Sequence, residues 1–240
     1  TILAGVNFSI YYSLFKGRWK EILQDEELRL YFLIIITATI AIAINLYKSS
    51  YSSLGLALKD SFFQVGSIIT TTGYSTVDFD LWPTFSKAIL FLLMFIGGCA
   101  GSTAGGMKVI RILIIFKLIK REVLKIFHPR AVSPVKLNTK VLPSETIAGI
   151  YSFAGLYIAL FALSTILISL EGVDLISAMS SIVATLGNIG LGLGFVGPTR
   201  TFFGYSQITK LFLSLLMLLG RLELFTVIAL LAPKNWKREI

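Results

Sequence analysis

Cysteine occurs once, at Cys99, and histidine once, at His128. A single thiol cannot close a disulfide within the chain, and neither residue has the company that a Cys/His metal site requires. Charge is scarce as well: 15% of residues are Asp, Glu, Lys or Arg, against roughly 25% in a water-facing globule. No His, Cys or carboxylate cluster falls inside an apolar stretch, which removes the usual apparatus of a membrane enzyme. Hydrocarbon fills the space these absences leave. The chain is 55% hydrophobic, with 18 Phe, 9 Tyr and 3 Trp, and its mean hydropathy is +0.80. That composition excludes a disordered chain and points to one that needs a bilayer to cover its apolar surface.

Five stretches, 31–47, 83–98, 107–127, 147–170 and 208–231, approach the roughly 20 apolar residues that a membrane crossing requires, the first two being short. Residues 1–15 are apolar too, without the basic start and cleavage site of a secretory signal, and read as the end of a membrane helix that begins upstream. Of the 22 Lys and Arg, 4 lie in 16–29, 9 in 108–140 and 3 in 234–238. The positive-inside rule places these segments in the cytoplasm. The predicted topology is therefore a multi-pass protein of the cell (inner) membrane with basic loops and C-terminus cytoplasmic. Lys117, Lys120 and Lys125 alternate with Leu118, Ile119, Leu124 and Ile126 at helical spacing. They read as a helix that continues into the cytoplasm or along the membrane interface, where it can hold anionic headgroups or dock a cytosolic subunit, a merely solvated face being the other reading. His128 reads as a helix-end residue and Cys99 as a small packing residue.

Two stretches, 60–74 and 174–188, are too short to cross and are each followed by a span that returns inward. Each has a short amphipathic helical part and then a small polar turn, Thr70-Thr71-Thr72-Gly73-Tyr74 in one and Ala184-Thr185-Leu186-Gly187-Asn188 in the other. A shift of 114 residues superimposes Asp60 on Asp174, Ser67 on Ser181, Ile68 on Ile182, Thr71 on Thr185 and Gly73 on Gly187. An internal duplication of this kind is a mark of membrane transport proteins. Non-helical backbone survives at membrane depth only where it is buried or lines a water-filled path. A Thr-x-Gly turn can present successive carbonyls in one direction, and several around one axis replace the hydration shell of a monovalent cation. The short helices before the turns would add the negative ends of their dipoles. An ordinary re-entrant packing loop is the competing reading.

Between Phe95 and Lys108, the glycines Gly97, Gly98, Gly101, Gly105 and Gly106 alternate with small residues inside an apolar stretch. Each glycine costs a helix about 1 kcal/mol against alanine, so a broken span is predicted. A phosphate-binding loop fails on spacing, because Gly106-Met107-Lys108-Val109 lacks the Ser or Thr after the Lys. Helix-packing glycines are the alternative. Ser102 and Thr103 can lend hydroxyls to a passing ion or to the bent backbone. Arg221 falls near the middle of the last span, where an uncompensated charge costs about 2.5 to 3.5 kcal/mol, so it must face something polar. Glu223, two residues on, lies on another helix face. An arginine paired within the bundle purely for stability is the other reading.

Taken together, the Thr-Thr-Gly-Tyr-Ser-Thr centre of 60–83, the glycine run 97–106, the turn Thr185-Leu186-Gly187-Asn188 and the segment Gly220-Arg221-Leu222-Glu223 resemble the Trk/Ktr/HKT superfamily of potassium transporters, TrkH type, over nearly the whole chain. The resemblance implies an all-α membrane protein with two span/pore-loop/span repeats of a potassium-channel-like architecture, corresponding to the third and fourth of the family's four units (its C-terminal half). Residues 1–29 would be the end of a preceding helix and a connector, 30–130 one unit with a broken second span, 131–146 a cytoplasmic connector, and 147–240 the second unit with a cytoplasmic C-terminus. By that likeness Thr71, Thr72, Gly73 and Tyr74, with Thr185, Leu186, Gly187 and Asn188, are filter residues that bind potassium. Thr72, Leu186 and Asn188 depart from the potassium-channel pattern, which implies a looser filter. The likeness makes Gly97, Gly98, Gly101, Ser102, Thr103, Gly105 and Gly106 a gate loop beneath the filter, and Arg221 a barrier that bonds the loop's carbonyls.

The expected function is gated, channel-like potassium permeation without enzymatic chemistry and without a cofactor on this chain, K+ being the transported ion. An ion-coupled secondary transporter, moving K+ with H+ or Na+, is the alternative. Two loops cannot encircle an ion. Either further units precede Thr1, which the missing initiator Met favours, or two copies assemble a four-part pore. Membrane lipid, a second copy in a homodimer and a cytosolic nucleotide-binding regulatory subunit (a TrkA-like ring) are the implied partners.

Overall fold

The computed structural model describes residues 1–49, 51–128, 133–138 and 140–222. Glu223, the basic residues of 234–238 and the end of the predicted last span lie outside the described residues. The protein is built from helices, with one hairpin of two-residue strands.

Helix α3 (Glu26–Ser49) and helix α7 (Ser144–Ser169) are each long and apolar enough to cross a membrane. Each spans roughly 35 to 40 Å at 1.5 Å per residue, more than a hydrocarbon core. On α3 the buried side chains Tyr31, Ile35, Ala38, Ile42 and Leu46 recur at three- and four-residue spacing. Phe32, Leu33, Ile36, Ile40 and Ile44 face outward on the same helix. An apolar exterior on a helix of this length is a lipid-facing surface. Acidic residues open α3 at Glu26 and Glu27, beside the positive end of the helix dipole, and the Leu28 amide donates to Asp25 Oδ1 at 2.8 Å.

Two similar units follow one another. In the first, α3 packs against the short helix α4 (Leu54–Ile69) and against α5 (Thr84–Leu93). In the second, α7 packs against α8 (Leu175–Leu186), which packs against α9 (Gln207–Arg221). Each has its own apolar core, and the two meet where Phe95 contacts Phe161 edge-on at 5.0 Å between ring centroids. The predicted stretches 83–98 and 107–127 are not two continuous helices of full length: helix α5 is 10 residues long, and the helical path resumes only at α6 (Val109–Phe127) after a glycine-rich loop.

Residues 1–15, expected to be the end of one helix, are not one continuous helix. Ile2–Gly5 is one 3-10 turn, the backbone is extended at Val6 and Asn7, and α1 covers only Phe8–Phe15. Asn7 starts that helix afresh, its side-chain oxygen accepting the Ser9 amide at 2.8 Å. The helix α2 (Trp19–Gln24) then leads to α3. The connector after α6 holds a hairpin, Lys136–Leu137 paired with Lys140–Val141. Asn138 ties it to the base of α3, its Oδ1 accepting the Glu26 amide at 3.0 Å and its Nδ2 donating to Asp25 at 3.0 Å. Lys117 pairs with Glu26 and donates to the Lys136 carbonyl at 2.7 Å. It is therefore part of this joint rather than of an open basic face. Lys120 and Lys125 remain exposed, and His128 caps the end of α6.

Candidate functional site

The two short helices α4 and α8 end in the same way. After α4, Thr70 N donates to Gly66 O, Thr71 N to Ile68 O, and Thr72 N and Gly73 N both to Ser67 O. After α8, Gly187 N donates to Val183 O, Asn188 N to Thr185 O, and Ile189 N and Gly190 N both to Ala184 O. The match is bond for bond at a spacing of 117 residues, Thr71 to Asn188. Backbone angles follow it: φ is +53° at Thr71 and +72° at Gly73, against +55° at Asn188 and +91° at Gly190. Left-handed backbone at a threonine is uncommon, and asparagine tolerates it best after glycine.

This register corrects the sequence-based shift of 114. Thr185 and Leu186 form the last turn of α8, with the Thr185 hydroxyl donating to Ser181 O at 2.8 Å, and Gly187 is still right-handed at φ −76°. The second bend is Asn188-Ile189-Gly190-Leu191, which keeps only Asn188 of the predicted four. A readable signal was Gly190 itself, two residues after an asparagine.

The two bends are in contact. Gly73 lies against the Ile189 carbonyl, where any β-carbon would overlap it. Helix α9 closes on the second bend, with Gly220 against the Leu186 carbonyl and Asn188 Nδ2 donating to Met217 O at 2.9 Å.

The interrupted span supplies the third wall. Its loop is pinned where it leaves and rejoins the helical path. Met107 N donates to Phe95 O at 3.3 Å, Gly97 N to Met107 O at 2.8 Å, and Val109 N to Gly98 O at 3.1 Å. Gly97 and Gly105 touch backbone to backbone, and Gly98 lies against Gly5, whose carbonyl accepts the Cys99 amide at 2.8 Å. Gly101 and Gly106 are left-handed. The hydroxyls of Ser102 and Thr103 bond to the carbonyls of Cys99 (2.6 Å) and Ala4 (3.2 Å), so both brace the bent backbone. Upward, Gly105 N donates to the Thr71 hydroxyl at 2.8 Å and Gly105 packs on Gly187 and Asn188. Arg221, at the end of α9, donates from Nη1 to Thr103 O at 2.8 Å. Lys108 donates to the Ala104 carbonyl. The loop thus touches both bends on one side and two cations on the other.

Glu27 escaped the sequence reading. Its buried Oε1 accepts the Ala100 amide at 2.7 Å and the Ile110 amide at 3.1 Å, tying the loop and the first turn of α6 to the base of α3. Among the described residues no group of three or more His, Cys, Asp or Glu is placed to hold a metal ion. The site offers backbone and hydroxyl oxygens instead.

On the opposite face, carboxylates fix the entrances of the helices. Ser177 beside Asp174 holds that carboxyl below its ordinary range, and Asp174 caps α8 by accepting the Ser177 amide at 3.1 Å. Hydrogen bonds from Ser206 and Thr209 hold Glu171 low in the same way. A group with a lowered pKa stabilises the fold above its unfolded value, about 3.9 for Asp, and that contribution is lost as pH falls through the folded value. Asp174→Ala is expected to lower stability by about 1 kcal/mol, the usual worth of an N-cap. Asp174→Asn should keep the cap while removing its acid dependence, as thermal unfolding in detergent between pH 3 and 7 would reveal.

Comparison with known proteins gives a consistent result. The family described as TrkH, cation transport protein, matches residues 1–238. The chain is 38% identical to the Trk system potassium uptake protein TrkH of Escherichia coli (strain K12) over 238 residues, covering 98% of this chain and 49% of that protein. It is 32% identical to the Trk system potassium uptake protein TrkG of the same organism over 239 residues, covering 99% of this chain and 49% of the relative. The crystal structure of the potassium transporter TrkH from Vibrio parahaemolyticus superposes with a TM-score of 0.88 at 36% identity, covering 98% of this chain and 51% of that one. The chain spans about half the length of the curated relatives it matches.

Proposed function

Because the chain belongs to the TrkH family of cation transport proteins, we propose that it supplies two filter strands and the gate of a potassium permeation pore in the cell membrane. The observation that carries this reading is the pair of matched bends in contact at Gly73 and Ile189. Left-handed turns at the ends of two short, largely buried helices, themselves partly open, suit a dehydrated monovalent cation, to which they can offer carbonyl oxygens without net charge. The filter residues are Thr71, Thr72, Gly73 and Tyr74 in one strand and Asn188, Ile189, Gly190 and Leu191 in the other.

Loop 97–106 is the gate in this reading, and Arg221 its barrier. A fixed guanidinium about 6 Å from a potassium ion raises the ion's energy by about 3 kcal/mol at an effective dielectric of about 20. That is roughly a hundredfold in occupancy. Arg221 also holds the loop through Thr103, so Arg221→Ala is expected to raise basal rubidium flux through the full-length protein several-fold. Flux no higher than wild type would remove Arg221 from this role.

The regulatory partner in this proposal is a cytosolic nucleotide-binding ring, met by the exposed end of α6 at Lys120 and Lys125, with anionic lipid alongside and a second copy of the protein completing a homodimer. Conductance of K+ and Rb+ over Na+ by purified full-length protein in liposomes tests the central claim. Saturable uptake that stops without a coupled ion would establish the coupled transporter instead.

A further inference from the structure

Past the bend at Gly73 the first strand runs through residues 74–77 without support from other backbone. Among the described residues, none of these four donates or accepts a backbone–backbone hydrogen bond. The bonds that hold them start from two side chains of α4. Ser67 Oγ donates to the Tyr74 carbonyl at 2.6 Å. Gln64 Nε2 donates to Ser75 Oγ at 3.0 Å, and Ser75 Oγ in turn donates to the Val77 carbonyl at 2.5 Å. Ser67 also carries, on its own carbonyl, the amides of Thr72 and Gly73. Gln64 and Ser67 are both fully buried, and three residues apart they share one face of the helix.

The second strand is held differently. In the register that matches the bends, Ala184 stands in the place of Ser67 and Ser181 in that of Gln64. Alanine has no hydroxyl to give. The Ser181 hydroxyl turns to the Ser177 carbonyl at 2.6 Å and the Tyr205 hydroxyl at 2.7 Å. Past its bend that strand is gripped instead by Ser180, which donates to Leu193 O at 2.9 Å and accepts from Leu193 N at 3.0 Å. Gln64, moreover, is not what packing alone would select. Its Oε1 is buried with no hydrogen-bond partner among the described residues, and an acceptor left in that state opposes folding. An apolar side chain of similar size would relieve this, so the amide is explained by what its Nε2 holds rather than by stability.

We propose that Gln64 and Ser67 are the positioning residues that set ion discrimination in the first strand, by holding 74–77, and through them the Gly73 bend, in one arrangement. The inference rests on the pore reading above and deepens it. Neither side chain is a ligand of the ion; each acts through the backbone it bonds. Oxygens held in place keep a cage sized for the larger ion, whereas oxygens free to move close on a smaller one. Loss of either bond therefore falls on discrimination between potassium and sodium rather than on passage.

The test uses full-length protein. Rubidium and sodium uptake are measured in liposomes, and thermal unfolding in detergent with KCl or NaCl at equal concentration. Wild type is expected to favour rubidium and to unfold at a higher temperature in KCl, because an ion that binds only the folded state stabilises it. Gln64→Met and Ser67→Ala are each expected to lower the rubidium-to-sodium ratio about tenfold, the upper end of what a neutral hydrogen bond contributes. Each should also shrink the gap between the two unfolding temperatures. Ser67→Thr keeps the hydroxyl and should recover most of the ratio. In NaCl, Gln64→Met should unfold no earlier than wild type, which separates positioning from bracing of the fold. Should Ser67→Ala fail to fold, Gln64→Met decides alone. Variants that discriminate like wild type, whether or not they unfold earlier in both salts, would overturn the proposal. A wild type without preference for rubidium would instead overturn the pore reading, and this inference with it.

Discussion

Gly73→Ala is expected to reduce rubidium uptake by the full-length protein more than tenfold while the protein still inserts and elutes as wild type. Two penalties act together. An L-residue held at φ +72° costs about 1 to 2 kcal/mol. The new β-carbon also overlaps the Ile189 carbonyl, which belongs to the facing bend and can retreat only by moving that bend. In the pore reading both filter strands are then displaced by one methyl group. Gly190→Ala separates the two effects, since φ is +91° there but no neighbouring atom lies within 4 Å of the added carbon. It should be impaired less than Gly73→Ala. Near-normal uptake by Gly73→Ala would show that contact between the bends does not matter to ion passage.

The second large effect belongs to Glu27. Both of its amide partners use the same oxygen, Oε1. Glu27→Ala leaves two buried N–H groups without acceptors at about 1 to 3 kcal/mol each, and opens space beneath the loop. Its thermal unfolding midpoint in detergent is expected to drop by several degrees, with gating of rubidium flux lost. Glu27→Gln retains a carbonyl oxygen with two lone pairs and can accept both bonds, so it should recover most of the stability. Equal damage from the two substitutions would mean that negative charge, rather than hydrogen-bond geometry, is what the site requires.

The contrast between these two residues shows where sequence is informative. The long apolar runs that became α3 and α7 are legible because bilayer thickness dictates their length, and the break between Leu93 and Val109 is legible because glycines accumulate where a helix cannot use them. Gly73 is legible for the same reason. The second bend was misplaced because identity matching rewards Ser181 and Thr185. In the structure these are buried helical residues whose hydroxyls return to the preceding turn of α8. Hydroxyl side chains that satisfy their own helix and threonines that precede a turn look alike in one dimension. Glu27 is harder still. Its partners are backbone amides 73 and 83 residues away, and a backbone amide leaves no trace in residue identity. Lys117 shows the reverse error, a cation assigned to an open surface that is engaged by a carboxylate 91 residues earlier in the chain.

The bond from Gly105 N to the Thr71 hydroxyl carries a consequence for how such a pore works. In the pore reading, one threonine of the proposed filter is thereby bonded to the proposed gate loop. If the obstruction swings aside, Thr71 exchanges an amide donor for water, and the oxygen beside the passing ion changes its polarisation. In that reading discrimination and conductance share one latch, and the open and closed states are expected to differ in their preferences among alkali metals.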